Sequence, residues 1–275
     1  MRGIYAIFLR NITKFFRDRL RVAFSLLMSF LFIFIFSFAM KGAVPGISRP
    51  LGYLVAGVII MTVFQQALNN STDILNDLST GFMKEIIVSP VPRWQIAIGQ
   101  IIAATVIACI QGILVLAAGL FMGLSVTIPS FFELLGIMSI AGFSFAAFGL
   151  FLATVARNSS AFQIMTSVII MPLSFLSGAY IPATVMPKFL TGLIIINPLT
   201  WITALFRFVS LQLQAVPDSE LVREGIAFGF GGHIITPVLG FPFVIVFGIL
   251  FFFLCVRKFK SADFSTVKVT MKHHH

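Results

Sequence analysis

Long apolar runs without charged residues alternate along this chain with short segments that carry most of the charge. Six of the runs are long enough to cross about 30 Å of hydrocarbon, which takes a helix of roughly 20 residues. They cover residues 22–40, 51–72, 94–123, 134–156, 161–181 and 234–256. The pattern predicts an all-α membrane protein whose six transmembrane helices form a single domain over residues 1–275.

The composition supports this prediction and excludes a soluble domain, because 59% of the residues are hydrophobic and only 10% are charged. A net charge of +10 would also suit a nucleic-acid partner. However, most Lys and Arg residues flank the runs at the N-terminus, after the second run and at the C-terminus. Positive residues accumulate on the cytoplasmic side, so we expect a cell (plasma or inner) membrane protein with both termini in the cytoplasm.

A seventh apolar run, residues 189–206, is interrupted by Asn197 and Pro198. If this run also spanned the membrane, the basic C-terminal tail at 257–272 would lie outside. We therefore expect residues 182–212, including Arg207, to form a re-entrant helical hairpin that enters from the outer face. An ordinary interfacial loop is the alternative. Residues 213–233 are expected to form an outer loop, and 273–275 a purification-tag remnant.

Residues 1–21 are predicted to form an amphipathic helix. Arg10, Lys14, Arg17 and Arg21 share one helical face, and apolar side chains fill the other. Such a helix lies on the inner leaflet, with its basic face toward anionic headgroups. A cleaved signal peptide is not favoured, because the apolar run that follows is long enough to span the membrane and lacks a small-residue cleavage site.

The stretch GFMKEIIVSPVPRW, residues 81–94, separates the second and third spans and is expected in the cytoplasm. A short helix is predicted near 81–92, since prolines end it and a simple reversal of the chain needs only a few polar residues. Its apolar face favours a covering protein partner, although a helix resting on the bilayer is the alternative. The candidate docking residues are Phe82, Lys84, Glu85, Ile86, Ser89, Pro90 and Arg93.

The second span carries a polar stripe at helical spacing, made of Gln66, Asn70, Asp73 and Asp77. Lipid disfavours such groups by a few kcal/mol each, so they must face protein or water. Either they line an inner vestibule on a transport pathway or they make hydrogen bonds between helices. Gln163, in the fifth span, is interpreted as an isolated helix-packing residue.

Two segments, KEIIVSPVPRWQIAIGQ (84–100) and INPLTWITALFR (196–207), make the chain similar to the permease subunits of type-2 ATP-binding-cassette (ABC-2) exporters. The resemblance covers nearly the whole chain. It implies that the first segment holds a coupling helix that docks on a separate ATPase subunit, and that the second belongs to the re-entrant hairpin. It also implies a homodimer with two ATPase subunits, which bind ATP and magnesium. The cargo class stays open among drug-like, lipid-linked and polysaccharide molecules.

Other classes of membrane protein fit this sequence less well. The chain has no phosphate-binding G-x-x-x-x-G-K-[ST] loop, so we expect it to bind no nucleotide cofactor and to be no enzyme by itself. A secondary transporter driven by an ion gradient is the main alternative, but it would normally place acidic groups near the midplane of the bilayer. Hydrolase motifs are absent from the sequence, and Cys109 and Cys255 suit packing rather than metal binding.

Overall fold

The computed structural model describes residues 2–43, 47, 49–79, 92–122, 124–156, 158–230 and 233–261. Eleven helices lie in these ranges. They are α1 (Arg2–Arg17), α2 (Arg19–Ala43), α3 (Pro50–Asn69), α4 (Thr72–Ser79), α5 (Arg93–Phe121), α6 (Ile128–Val155), α7 (Ser159–Leu176), α8 (Thr191–Ile196), α9 (Pro198–Ser210), α10 (Asp218–Arg223) and α11 (Pro237–Ser261).

The helices confirm the all-α membrane fold. Within the described ranges, five stretches are long and apolar enough to cross a membrane, namely Pro50–Asp77, Arg93–Phe121, Ile128–Val155, Ser159–Leu176 and Pro237–Lys258. A sixth span is counted if Gly3–Arg17 and Val22–Phe38 are taken together as one bent pair. The bend of 67° between them agrees with an α1 that runs along the membrane surface before α2 enters it.

Helix α3 forms the centre of the bundle, because 83% of its membrane window is buried inside the protein. It packs against α5, α6, α9 and α2. Close approach of α5 depends on Gly112, where an added Cβ would lie 2.7 Å from Met138 Sδ and 2.7 Å from Val63 Cγ2. Eleven of the fifteen buried residues of α3 are Val, Ile, Leu, Met, Ala or Phe.

Helices α7 and α11 are peripheral, with 17% and 22% of their membrane windows buried. Helix α11 packs along α6 through aromatic side chains. Phe148 contacts Phe251 with ring centroids 4.7 Å apart and Phe247 at 5.5 Å. Such ring pairs stabilise the contact by about 0.5–1.5 kcal/mol each beyond the area that they bury.

Three features differ in detail from the sequence prediction. Helix α6 begins at Ile128, six residues before the predicted span, because Thr127 caps it by accepting a hydrogen bond from the Ser130 N–H. Helix α7 ends at Leu176 instead of continuing to residue 181. Gly178, two residues after its end, adopts a φ of +75°, which is not a helical conformation. The predicted loop 213–233 contains α10 and the strand β1 (Phe228–Phe230), which pairs antiparallel with β2 (His233–Ile235).

The predicted re-entrant segment contains two 3-10 turns, Ala183–Val185 and Lys188–Leu190, followed by α8 and α9. The break between the two helices lies at Asn197, as predicted. The Asn197 Oδ1 accepts a hydrogen bond from the Leu199 N–H at 2.9 Å and caps α9, and Pro198 occupies the first helical turn. That the segment enters the membrane from outside and returns stays a prediction.

Candidate functional site

The polar stripe of the second span divides between two environments. Gln66 and Asn70 are buried, and the Asn70 Nδ2 donates a hydrogen bond to the Gln66 carbonyl oxygen at 2.9 Å. Asp77 is also buried, whereas Asp73 is partly exposed. Asn70 and Ser71 lie between the end of α3 and the start of α4. The stripe is therefore mostly a packing surface, and Asp73 is its member on a groove.

Helix α1 lies against this acidic end of the second span. Arg10 donates two hydrogen bonds to Asp77, from Nη1 to Oδ2 and from Nη2 to Oδ1, both at 2.7 Å. Lys14 Nζ donates to Asp73 Oδ1 at 3.0 Å. A bidentate arginine–carboxylate pair fixes orientation as well as contributing energy. Two of the four basic residues predicted to meet lipid headgroups therefore meet carboxylates of the protein instead.

The face of α1 next to Arg10 and Lys14 also meets protein. Asn11 is buried and donates through its amide to the Gln100 side-chain oxygen on α5. Ile7 and Phe15 are buried as well. An added Cβ at Gly99 of α5 would lie 3.1 Å from the Ile4 carbonyl oxygen, so the two helices approach closely. The amphipathic helix is thus an integral part of the bundle.

A groove of about 410 Å³ lies between α4, the end of α3, and α7. Six uncharged polar residues line it, namely Asn69, Thr72, Asn76, Gln163, Thr166 and Ser167. Asp73 and Ile170 complete the lining. We call this surface the polar groove. Its volume lies within the range of about 300–1,000 Å³ that is typical of small-molecule sites.

The polar groove runs along the membrane-spanning part of α7. Ser167 lies eight residues after Ser159, which corresponds to about 12 Å along a helix. Ile164 and Val168, on a neighbouring face of α7, are 66% and 67% exposed and apolar, as expected of a surface against lipid. The same helix therefore carries one polar face toward the groove and one apolar face.

The sequence analysis identified only one side of the polar groove. It singled out the second span but interpreted Gln163 as an isolated packing residue. Gln163, Thr166, Ser167 and Ile170 follow the spacing i, i+3, i+4, i+7, which places them on one helical face. That spacing in the sequence could have indicated a polar face on α7. The structure adds the pairing of this face with Asn69, Thr72 and Asn76, which the sequence of one helix does not contain.

A second polar centre surrounds Arg207, which is 1% exposed. Its guanidinium donates three hydrogen bonds to main-chain carbonyl oxygens. Nη1 donates to Gly178 at 2.9 Å, Nη2 to Ala179 at 2.8 Å and Nε to Tyr53 at 3.1 Å. The guanidinium carbon lies 3.5 Å from the centroid of the Tyr53 ring, a cation–π contact. Arg207 therefore joins α9, α3 and the turn after α7.

Gly57 provides the space for this arrangement. An added Cβ at this position of α3 would overlap the Ala179 carbonyl oxygen and lie 2.7 Å from Arg207 Nη2. The Asn197 amide strengthens the same contact from the other end of α9, since its Nδ2 donates to the Leu173 carbonyl oxygen at 2.8 Å. Segment 182–212 is thus attached both to α7 and to the turn that follows it.

The predicted docking residues Phe82, Lys84, Glu85, Ile86, Ser89 and Pro90 lie outside the described residues. Arg93 is described and forms the first residue of α5, where it is partly exposed. The described chain on both sides of the segment ends in helices, α4 before it and α5 after it. The coupling helix therefore stays a prediction.

Comparisons with known proteins bear on the whole arrangement. The family model described as ABC-2 type transporter matches residues 2–211. The Escherichia coli K12 protein named "Probable multidrug ABC transporter permease YbhR" is 29% identical over 161 residues, which cover 58% of this chain and 44% of YbhR. The "Inner membrane transport permease YadH" of the same strain is 28% identical over 167 residues, covering 60% of this chain and 64% of YadH.

The chain thus matches less than two thirds of the length of these relatives. The family model reaches from the first residues of α1 to the residue after α9. It therefore includes the polar groove, the Arg207 centre and the predicted docking segment. Because the match extends over more than half of the 275 residues, the chain belongs to the ABC-2 type transporter family.

Proposed function

We propose that this chain is the membrane-spanning subunit of an ATP-binding-cassette exporter, and that a separate ATPase subunit drives it. The polar groove is the observation that carries the proposal. Lipid disfavours amide and hydroxyl side chains, so a groove lined by Asn, Gln, Thr and Ser along two membrane helices favours water or a polar cargo. Family membership supports the same role. The cargo is a drug-like, lipid-linked or polysaccharide molecule.

The assembly we propose contains two copies of this chain and two ATPase subunits, which hold ATP and magnesium. The segment near 81–92 docks on the ATPase, with Phe82 and Ile86 as apolar anchors and Glu85 as a charged contact. Its position supports this role, because it directly follows α4. Asp73 and Asp77 of α4 are tied to α1 by Lys14 and Arg10, so a displacement of the docked segment would move α1 and α4 together.

The alternative, a secondary transporter driven by an ion gradient, finds little support in the acidic residues. Those in the described membrane helices are Asp73, Asp77 and Glu133. The two aspartates pair with Lys14 and Arg10. Glu133 lies in the second turn of α6, near one end of that helix. A carrier that cycles a proton or sodium ion needs an acidic group that exchanges its partner near the midplane.

Isolation of the tagged chain from membranes of its own cell tests the proposed function. We expect an ATPase subunit to co-purify and the complex to hydrolyse ATP. Phe82→Ala removes a predicted anchor and Glu85→Lys reverses a predicted docking charge, so both should reduce the recovered ATPase. Glu220→Lys is the matched control, because it makes the same charge change on exposed α10. Full ATPase recovery with both docking variants would contradict the docking site.

A further inference from the structure

The side chains that line the polar groove favour some classes of cargo over others. Six of its lining residues carry neutral amides or hydroxyls, which both donate and accept hydrogen bonds. Its carboxylate, Asp73, is already paired with Lys14 at 3.0 Å. Lys and Arg side chains do not line the groove within the described part of the chain. Aromatic rings, which would stack on a flat drug-like cargo, are likewise absent from this lining.

Each common class of cargo makes a different demand on such a surface. A phosphate-bearing polymer needs Arg or Lys side chains or helix N-termini. A lipophilic cation needs aromatic faces or unpaired carboxylates. An uncharged molecule rich in hydroxyl or amide groups needs mixed donors and acceptors without net charge, which is what Asn69, Asn76, Gln163 and Ser167 present.

The polar lining also reaches too deep to be explained by hydration of a helix end. Ser167 lies about 12 Å along α7 from Ser159, roughly two fifths of the hydrocarbon thickness. Val168, the next residue, is exposed and apolar on the lipid-facing side. The change from hydroxyl to aliphatic side chain between adjacent residues shows that the polarity follows the groove and not the depth.

We propose that the polar groove binds an uncharged, hydroxyl-rich cargo, such as a neutral glycan or the glycan part of a lipid-linked molecule. This inference rests on the proposed function, because it assigns a cargo class to the same groove. It selects one of the classes that family membership leaves open. It also disfavours anionic polymers and lipophilic cations as cargo for this chain.

Cysteine labelling in lipid nanodiscs tests first whether the groove holds water. Ser167→Cys places a thiol in the groove, and Val168→Cys places one on the neighbouring lipid-facing surface. The native Cys109 and Cys255 are buried and provide an unreactive background. Because a thiolate forms in water and not in lipid, a charged maleimide should label Ser167→Cys at least about tenfold faster than Val168→Cys.

Protection of Ser167→Cys then identifies the cargo class. The probes are maltohexaose as a neutral glycan, inorganic polyphosphate as an anionic polymer and tetraphenylphosphonium as a lipophilic cation. Maltohexaose should slow labelling by about tenfold once it exceeds its Kd tenfold. Adding Gln163→Leu should weaken this protection about fivefold through the lost hydrogen bond, and Gln214→Leu in the exposed outer loop should leave it unchanged.

The outcomes separate the inference from the proposed function. Protection by polyphosphate or tetraphenylphosphonium alone, or by none of the three probes, overturns the cargo class while the groove stays a water-filled pathway. Slow labelling of Ser167→Cys, with a disulfide between two copies, shows that the groove is a seam between subunits and overturns the inference together with the proposed pathway. ATPase recovery in the docking experiment reports on the exporter assignment independently of both results.

Discussion

Arg207→Met removes the guanidinium that joins α9 to α3 and to the turn after α7, and it keeps an apolar side chain of similar length. The wild-type residue is almost completely buried and makes three hydrogen bonds to main-chain carbonyl groups. Methionine fills much of the same space but donates none of them. Arg207→Lys is a second informative variant, because one ammonium group cannot reproduce the planar fork of five donors.

The size of the destabilisation follows from the three carbonyl groups that lose their hydrogen bond to Arg207. Tyr53 lies within α3, where the helical ladder also uses its carbonyl oxygen, so its loss costs least. The Gly178 and Ala179 carbonyls belong to the turn after α7, and each buried acceptor left unpaired costs about 1–3 kcal/mol. Relief from burying a cation offsets part of this cost. We therefore expect a net destabilisation of about 2–3 kcal/mol, or a Tm lowered by about 4–12 °C.

Thermal unfolding followed with a thiol-reactive fluorescent dye provides the assay, since Cys109 and Cys255 are buried and react only when the helices separate. The control is Arg223→Met, which makes the same substitution at an exposed position of α10 and should leave the Tm unchanged. If Arg207→Met melts at the wild-type temperature, the three hydrogen bonds contribute no net stability. The link between α9, α3 and the turn after α7 would then rest on apolar packing alone.

Three further predictions concern other contacts. Gly57→Ala should lower the Tm more than Gly136→Ala. A Cβ at position 57 would overlap the Ala179 carbonyl oxygen, whereas nothing lies within 4 Å of a Cβ at position 136. Equal melting temperatures of the two variants would refute the close approach of α3 to the turn after α7. Arg10→Asp and Asp77→Arg should each weaken packing of α1, measured by proteolysis of the N-terminus, and the double variant should restore it unless the pair is energetically neutral. A membrane-impermeant thiol reagent applied outside should label Asp218→Cys but not Ser261→Cys, and the reverse pattern would contradict the six-span topology.

Hydrophobic length predicted the membrane helices well, because a membrane imposes one physical requirement on every span. Errors occurred where local chemistry sets the boundary. The Thr127 cap starts α6 early, and the left-handed Gly178 ends α7 early. The hairpin of β1 and β2 was not predicted, since strands of three residues are too short to show an alternating pattern.

The functional residues were harder to predict, because a single sequence shows which face of a helix is polar but not which neighbour it meets. The stripe from Gln66 to Asp77 was recognised, yet its acidic end meets α1 and its first half is buried. Arg207 was assigned to the predicted hairpin, but its contacts were not predicted. Its burial depends on Gly57 of α3 and on the turn after α7, which lie far away in the sequence.

The polar groove and the Arg207 centre lie at opposite ends of the same two helices. At one end, Arg207 ties Tyr53 of α3 to Gly178 and Ala179 after α7, and Gly57 brings the backbones into contact. At the other end, the groove separates α7 from α4 and from the end of α3. Beside the groove, α7 and α4 stay in contact through the hydrogen bond from Ser159 Oγ to Asn76 Oδ1 at 2.9 Å, so the groove is a cleft between touching helices.

Under the predicted topology, the groove end of these helices would face the cytoplasm and the Arg207 end would face the outside. A cargo that moved outward along α3 and α7 would then pass from the groove to the Arg207 centre. Releasing the cargo outward would require α3 and the turn after α7 to separate, which breaks the hydrogen bonds of Arg207. The carbonyl groups released in that step would need water or cargo hydroxyl groups as new partners, since a buried unpaired acceptor is costly. A hydroxyl-rich cargo that donates to these carbonyl groups would therefore lower the free energy of its own exit.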